Sequence, residues 1–139
     1  MDIQRLLKKR QLNVQQQNAL SAHALECTAR AWRDEGVPMA LRRYAEAQGV
    51  DWAATVVLAL DIDFPGMCSL FGRLLTQDER FIDFEMDTDA AHQQVETVEC
   101  WQDVTSSLNH STRNRGTGRG FAAIARQVRR ELLGLADDN

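Results

Sequence analysis

Proline is nearly absent from this chain, with two residues in 139, and there are only eight glycines. That excludes a collagen-like or Pro/Gly-rich disordered protein. Long apolar runs are missing too. The longest, Trp52 to Leu60, is about half of the roughly 20 residues a membrane-spanning helix needs, so no membrane span is expected. Arg5, Lys8, Lys9 and Arg10 are not followed by an apolar stretch and a small-residue cleavage site, which argues against a secretory signal. Cysteine is scarce: Cys27, Cys68 and Cys100 stand far apart, with no CxxC and no Cys/His ligand spacing. An odd number without an export signal argues against a disulfide framework, and buried free thiols are the expectation. Trp32, Trp52, Trp101 and a lone Tyr44 are scattered and form no platform for stacking single-stranded bases. What these absences leave is one soluble domain over residues 1–139, expected in the cytoplasm, with 44% hydrophobic residues to build one core.

Charge is unevenly spread. The net charge of -4 divides into +3 over residues 1–50, -10 over 51–110 and +3 over 111–139. Sixty residues at -10 set a negative potential over part of the surface, which disfavours nucleic acid there and favours a basic partner. The plain alternative is an ordinary solvated acidic surface.

Along the chain, Ile3, Leu6, Leu7 and Val14, then Leu20, Ala24, Cys27 and Ala31, recur at helical spacing over 2–33. Gln15-Gln16-Gln17-Asn18 is either a break or an exposed turn of that helix. Gly36-Val37-Pro38 ends it, and a second helix over 38–48 points Leu41, Tyr44 and Ala45 inward. Residues 51–63 read either as a helix capped by Asp51 or as a strand with Val56, Leu58, Leu60 and Ile62 on one face. Pro65-Gly66 signals a turn. Three strand-like runs follow, 67–75, 80–87 and 94–101, with connections short enough for an antiparallel meander. In the middle run Ile82, Phe84 and Met86 share one face, while Phe81, Asp83, Glu85 and Asp87 share the other. Glu96 and Glu99 fall on opposite faces of the third run. Residues 104–119 read as a polar loop. A last helix over 120–134 presents Phe121, Ile124, Val128 and Leu132 inward, with Arg126, Arg129 and Arg130 largely outside that stripe. The fold expected is α+β: N-terminal helices (1–50) and a C-terminal helix on one face of a small meander (51–103), whose other face is acidic.

Two constellations carry chemistry. Asp61, Asp63, Asp83, Glu85, Asp87, Glu96 and Glu99 form the acidic set. Their repulsion is relieved by solvent, by a hard cation or by a basic protein, and no EF-hand spacing supports a metal. Arg113-Asn114-Arg115-Gly116-Thr117-Gly118-Arg119-Gly120, preceded by His110, is the second. Arginine donors, mobile glycines and a following helix suit an anion, and His110 could serve acid–base chemistry on a phosphodiester. The run is neither GxGxxG nor a Walker loop, so a plain Gly/Arg loop is the simpler reading. His23 reads as packed or surface, and His92 as a solvated loop residue. No catalytic motif points to an enzyme, and no cofactor or metal is expected.

The function these patterns favour is a small acidic protein-binding domain, concretely a bacterial immunity- or antitoxin-type inhibitor of a basic, nuclease-like toxin. The alternative is a small enzyme or nucleotide/phosphate-binding module using the His110–Gly120 loop. A third reading has the acidic face pairing with basic helices of a second copy in a homo-oligomer.

Overall fold

Period-two patterning in the second half of the chain becomes sheet, and period-3.6 patterning at either end becomes helix. The computed structural model describes residues 3–7, 14–62, 68–111 and 120–135. The helices are α1 (Ile3–Leu7), α2 (Val14–Glu35), α3 (Met39–Ala47), α4 (Thr105–Ser111) and α5 (Phe121–Leu133). The strands are β1 (Val56–Ile62), β2 (Ser69–Leu75), β3 (Phe81–Thr88) and β4 (Val95–Asp103), antiparallel in the order β1-β2-β3-β4. The expected α+β class and meander are present.

The helices divide between the two faces of the sheet. Leu41 and Ala45 of α3 pack on Val57, Leu70, Leu74, Ile82, Phe84 and Met86. Ala29 of α2 and Ala122 and Ala125 of α5 pack on Val56, Leu58, Leu75 and Phe81. Leu74 and Leu75 are consecutive in β2, as are Phe81 and Ile82 in β3, so these two clusters lie on opposite sides. Helices covering a single face was the expectation. It changes because the strands carry apolar residues of both parities at the end where β2 and β3 meet, and each set requires its own cover.

Residues 51–63 resolve into a 3-10 turn at Trp52–Ala54 followed by β1. Simple alternation along β1 fails, because the register against β2 shifts between Val57 and Ala59. Val56 and Leu58 therefore join the α2/α5 side, while Leu60 and Ile62 join Val57 on the α3 side. Gly72 sits opposite this bulge, where a Cβ would lie 2.0 Å from the Ala59 carbonyl oxygen. Pro65-Gly66 lies outside the described residues.

Three further expectations change. Gln15 to Asn18 lie inside α2, so they form a turn of helix and no break. The inward stripe of α2 runs through Leu25, Ala29 and Trp32, while Ala24, Cys27 and Ala31 face solvent. Both stripes are helically spaced, and contact with the sheet and α5 selects the one carrying larger side chains. The expected burial of the cysteines fails with it: Cys27 is exposed, and Cys68 and Cys100 are half-buried.

The predicted 104–119 loop contains α4. Its first donor is held by Asp103, whose Oδ1 accepts from the Thr105 N–H at 2.9 Å, and Val104 and Leu108 pack into the α2/α5 core. The spacing of Val104 and Leu108 was the signal, hidden among Ser and Asn. The arginines of α5 are not simply outside. Arg129 is 6% exposed and its Nε donates to the Ala54 carbonyl at 2.9 Å. Arg126 lies 5.1 Å over the Phe81 ring, and Arg130 pairs with Glu79 at 2.8 Å. No helix among the described residues is long and apolar enough to cross a membrane.

Candidate binding face

Among the described residues, helices cover only part of the α2/α5 side of the sheet. Its covered end is the apolar row Val56–Leu75–Phe81. The next row is Ala59–Arg73–Asp83–Gln102, then Asp61–Phe71–Glu85–Cys100, then Ser69–Asp87–Thr97. Polarity therefore rises along the strands as helical cover ends.

Within those rows the carboxylates differ in what they have left to offer. Asp83 is committed: Arg73 donates to both its oxygens, at 2.5 and 3.0 Å, and also lies 5.5 Å over the Phe121 ring. That hydrogen bonding holds the Arg73 guanidinium above its ordinary pKa, against the burial that opposes its charge. Asp87 accepts from the Ser69 hydroxyl at 2.7 Å and keeps one oxygen. Asp61 and Glu85 are exposed and carry no hydrogen bond or ion pair among the described residues. Phe71 sits between them, one strand from each, and is 38% exposed. With strands about 4.8 Å apart, the two free carboxylates flank the ring at roughly 9–10 Å from one another.

The remaining acidic candidates lie elsewhere or outside. Asp63 is outside the described residues. Glu96 and Glu99 fall at the two register shifts of β4, where each is the extra residue without a cross-strand partner. Strict alternation, which put them on opposite faces, does not pass through two bulges. Both are exposed on an edge strand. Among the described residues no three His, Cys, Asp or Glu side chains are grouped to hold a metal ion.

Sequence reasoning missed the apolar half of this face. Beside the carboxylates lies an open groove of about 470 Å³, walled by Leu25, Leu58, Phe71 and Phe121 with Arg73, Asp83, Glu85 and Cys100 at its margin. Ser69, Phe71 and Arg73 alternate with the buried Leu70 and Leu74, and that alternation was the legible signal for an outward Phe71. Leu25 and Phe121 could not be found this way, since α2 and α5 reach the groove only through tertiary packing.

Of the second constellation, only His110 is described. It stands exposed in the last turn of α4. Arg113, Arg115 and Arg119 lie outside the described residues. His23 is exposed, with its Nε2 3.5 Å from Cys27 Sγ. His92 is not free in solvent: its Nδ1 is 2.8 Å from the Thr88 hydroxyl and its carbonyl accepts from the Ala40 N–H.

These features define a class only as far as an α+β domain with a half-uncovered sheet face, apolar in a groove and acidic around it. No protein-family model matches the chain, and comparison with curated proteins and solved structures returns no match.

Proposed function

We propose that this protein is a binding domain that takes a basic protein partner on the uncovered end of its sheet, and that it acts as an inhibitor of the immunity or antitoxin kind against a cationic, nuclease-like toxin. The observation that carries this reading is the row Asp61–Phe71–Glu85, an exposed ring between two unpaired carboxylates beside an apolar groove. Carboxylates speed the encounter with a basic surface, and the aromatic ring supplies the desolvated contact that slows departure. Asp87 belongs to the same patch through its spare oxygen, Asp83 serves to hold Arg73, and Glu96 and Glu99 extend the negative field along the edge.

The test begins with a basic protein retained from source lysate and released by a salt gradient, whose activity is then assayed with and without this protein. Inhibition is expected. Replacing Asp61→Asn, Glu85→Gln and Asp87→Asn together should lower the association rate about tenfold and flatten its dependence on ionic strength. Phe71→Ser should mainly raise the dissociation rate. An association rate and salt dependence unchanged in the triple variant would overturn the reading.

A further inference from the structure

A cavity of about 560 Å³ lies away from the acidic face, between the end of α2, the start of α3 and the start of β1. Trp32 and Trp52 both line it, with Arg33, Asp34 and Arg42 at its margin. A second cavity, about 330 Å³, adjoins it under α5 and shares Arg33; Arg129 lines this one. Two half-buried indoles thus line the first cavity, Arg129 lines the second, and Arg33 and Ala53 border both.

Two of the three arginines lining these cavities differ from most others in the fold; Arg42, the third, is held by Glu46. Arg30, Arg42, Arg73, Arg80 and Arg130 each meet a carboxylate within 3.2 Å. Arg33 and Arg129 meet none among the described residues, and the only acceptor given to Arg129 is the Ala54 carbonyl at its Nε. A guanidinium carries five N–H donors, so Arg129, 6% exposed and bonded through its Nε, keeps further donors for the cavity it lines. The indole N–H groups of Trp32 and Trp52 likewise have no acceptor among the described residues. Asp34 and Asp51 are the carboxylates lining the two cavities, and neither comes within ion-pair distance of Arg33 or Arg129. The charged residues lining the two cavities are three arginines and two aspartates, a positive balance beside the two indoles.

We propose that these adjoining cavities together bind a small planar aromatic ligand bearing a phosphate or carboxylate, with the ring against Trp32 and Trp52 and the anion toward Arg33 and Arg129. Indole faces take a flat ring by offset stacking, and guanidinium groups take a phosphate or carboxylate through paired N–H donors. Neither half is sufficient, since the indoles carry no charge and Arg33 is open to water. The site is separate from the acidic sheet face and does not depend on the partner reading.

The experiment titrates adenosine 5′-monophosphate and 2-naphthoate against the intact protein, following tryptophan fluorescence and the melting temperature. Adenosine, naphthalene methanol and inorganic phosphate serve as ring-only and anion-only probes. Saturable quenching by either complete probe, with affinity at least about tenfold above its separate parts, is expected. The adenylate and naphthoate arms separate a phosphate-bearing from a carboxylate-bearing ligand. Arg33→Gln alters an exposed residue with no hydrogen-bond or ion-pair partner among the described residues, so it should fold normally and weaken binding about tenfold or more. Trp52→Phe should keep the ring contact but remove part of the quenching signal. Binding of the complete probes no tighter than phosphate or the neutral ring would overturn the proposal. Absence of saturable change with both complete probes, or binding indifferent to Arg33→Gln, would overturn it equally. Asp61→Asn/Glu85→Gln protein should bind the probes as the parent does, which keeps this test distinct from that of the partner face.

Discussion

Gly72 and Gly36 show how the same residue type answers two different demands. At Gly72 the demand is space, since any Cβ meets the backbone of β1 across the bulge. Gly72→Ala is expected to destabilise by about 2–3 kcal/mol, the scale of overpacking a tight core, readable as a lowered urea midpoint. Gly36, at φ 81°, has open space around it, and its demand is conformational. Gly36→Ala should cost about 1 kcal/mol, the penalty for an L-residue in the left-handed region. Asp103 makes a third, pH-dependent demand. Burial opposes its charge, but hydrogen bonds from Thr105 and then from Arg80 outweigh it and hold its carboxyl below the ordinary range. A carboxylate with a depressed folded pKa contributes stability that is present above its unfolded pKa and is lost as pH falls through the folded one. Denaturation midpoints of the parent and Asp103→Asn should therefore differ near neutrality and converge as the medium is acidified below the ordinary carboxylate range. A difference that persists unchanged into acid would contradict this.

Elements are joined here by polar contacts as much as by apolar ones. Thr105, at the start of α4, accepts from the Phe81 N–H at 2.9 Å in a buried position, tying the helix to the first residue of β3. Thr105→Val leaves that N–H without an acceptor, and a loss of about 1–3 kcal/mol is expected, with Thr105→Ser restoring most of it. The tip of the β2–β3 hairpin is tied down in the same way. Asp78 and Glu79 both adopt left-handed backbone, and Glu79 accepts from Arg130 through its side chain and from Arg126 through its carbonyl. Arginines on α5 that read as an outer face thus hold the hairpin that α5 covers. At the other side of the sheet β4 is an edge strand, and its two bulges carry Glu96 and Glu99. Charges and bulges on an edge obstruct pairing with a second chain. Replacing both with Val should increase self-association, measured by light scattering at raised protein concentration, with no loss of stability beyond about 0.5 kcal/mol.

Viewed whole, the molecule is a sheet with helices on both faces and a strong charge division. The acidic middle of the chain supplies all four strands and nearly all of α4, while the positively charged flanks supply α1, α2, α3 and α5. Part of the negative charge is paired within the chain, through Arg73–Asp83 and Arg80–Asp103 in the middle segment and through Arg130–Glu79 from the C-terminal flank. What is left outward gathers at the uncovered end. Neutralising Asp61 and Glu85 removes no hydrogen bond or ion pair among the described residues, so the double variant should match or slightly exceed the parent in melting temperature, because self-repulsion falls. Asp83→Asn breaks the Arg73 pair and should be the less stable variant of the two, although the pair is a third exposed and worth only about 1 kcal/mol.

Most of the elements were legible in the sequence, α4 being the exception among those described. Alternation marked β2 and β3 nearly to the residue, Gly36-Val37-Pro38 marked the joint between α2 and α3, and helical spacing marked α5. The reason is that period and capping are local properties, set by a residue and its near neighbours. The carboxylates of the candidate face were legible for the same reason. Which of them are free was not, since Arg73 claims Asp83 only once β2 and β3 are in register. Nor could local pattern show the bulges in β1 and β4, the choice between two apolar stripes on α2, or the burial of Arg129. Each of those is decided by what a neighbouring element offers across the core, and that pairing exists only in the folded molecule.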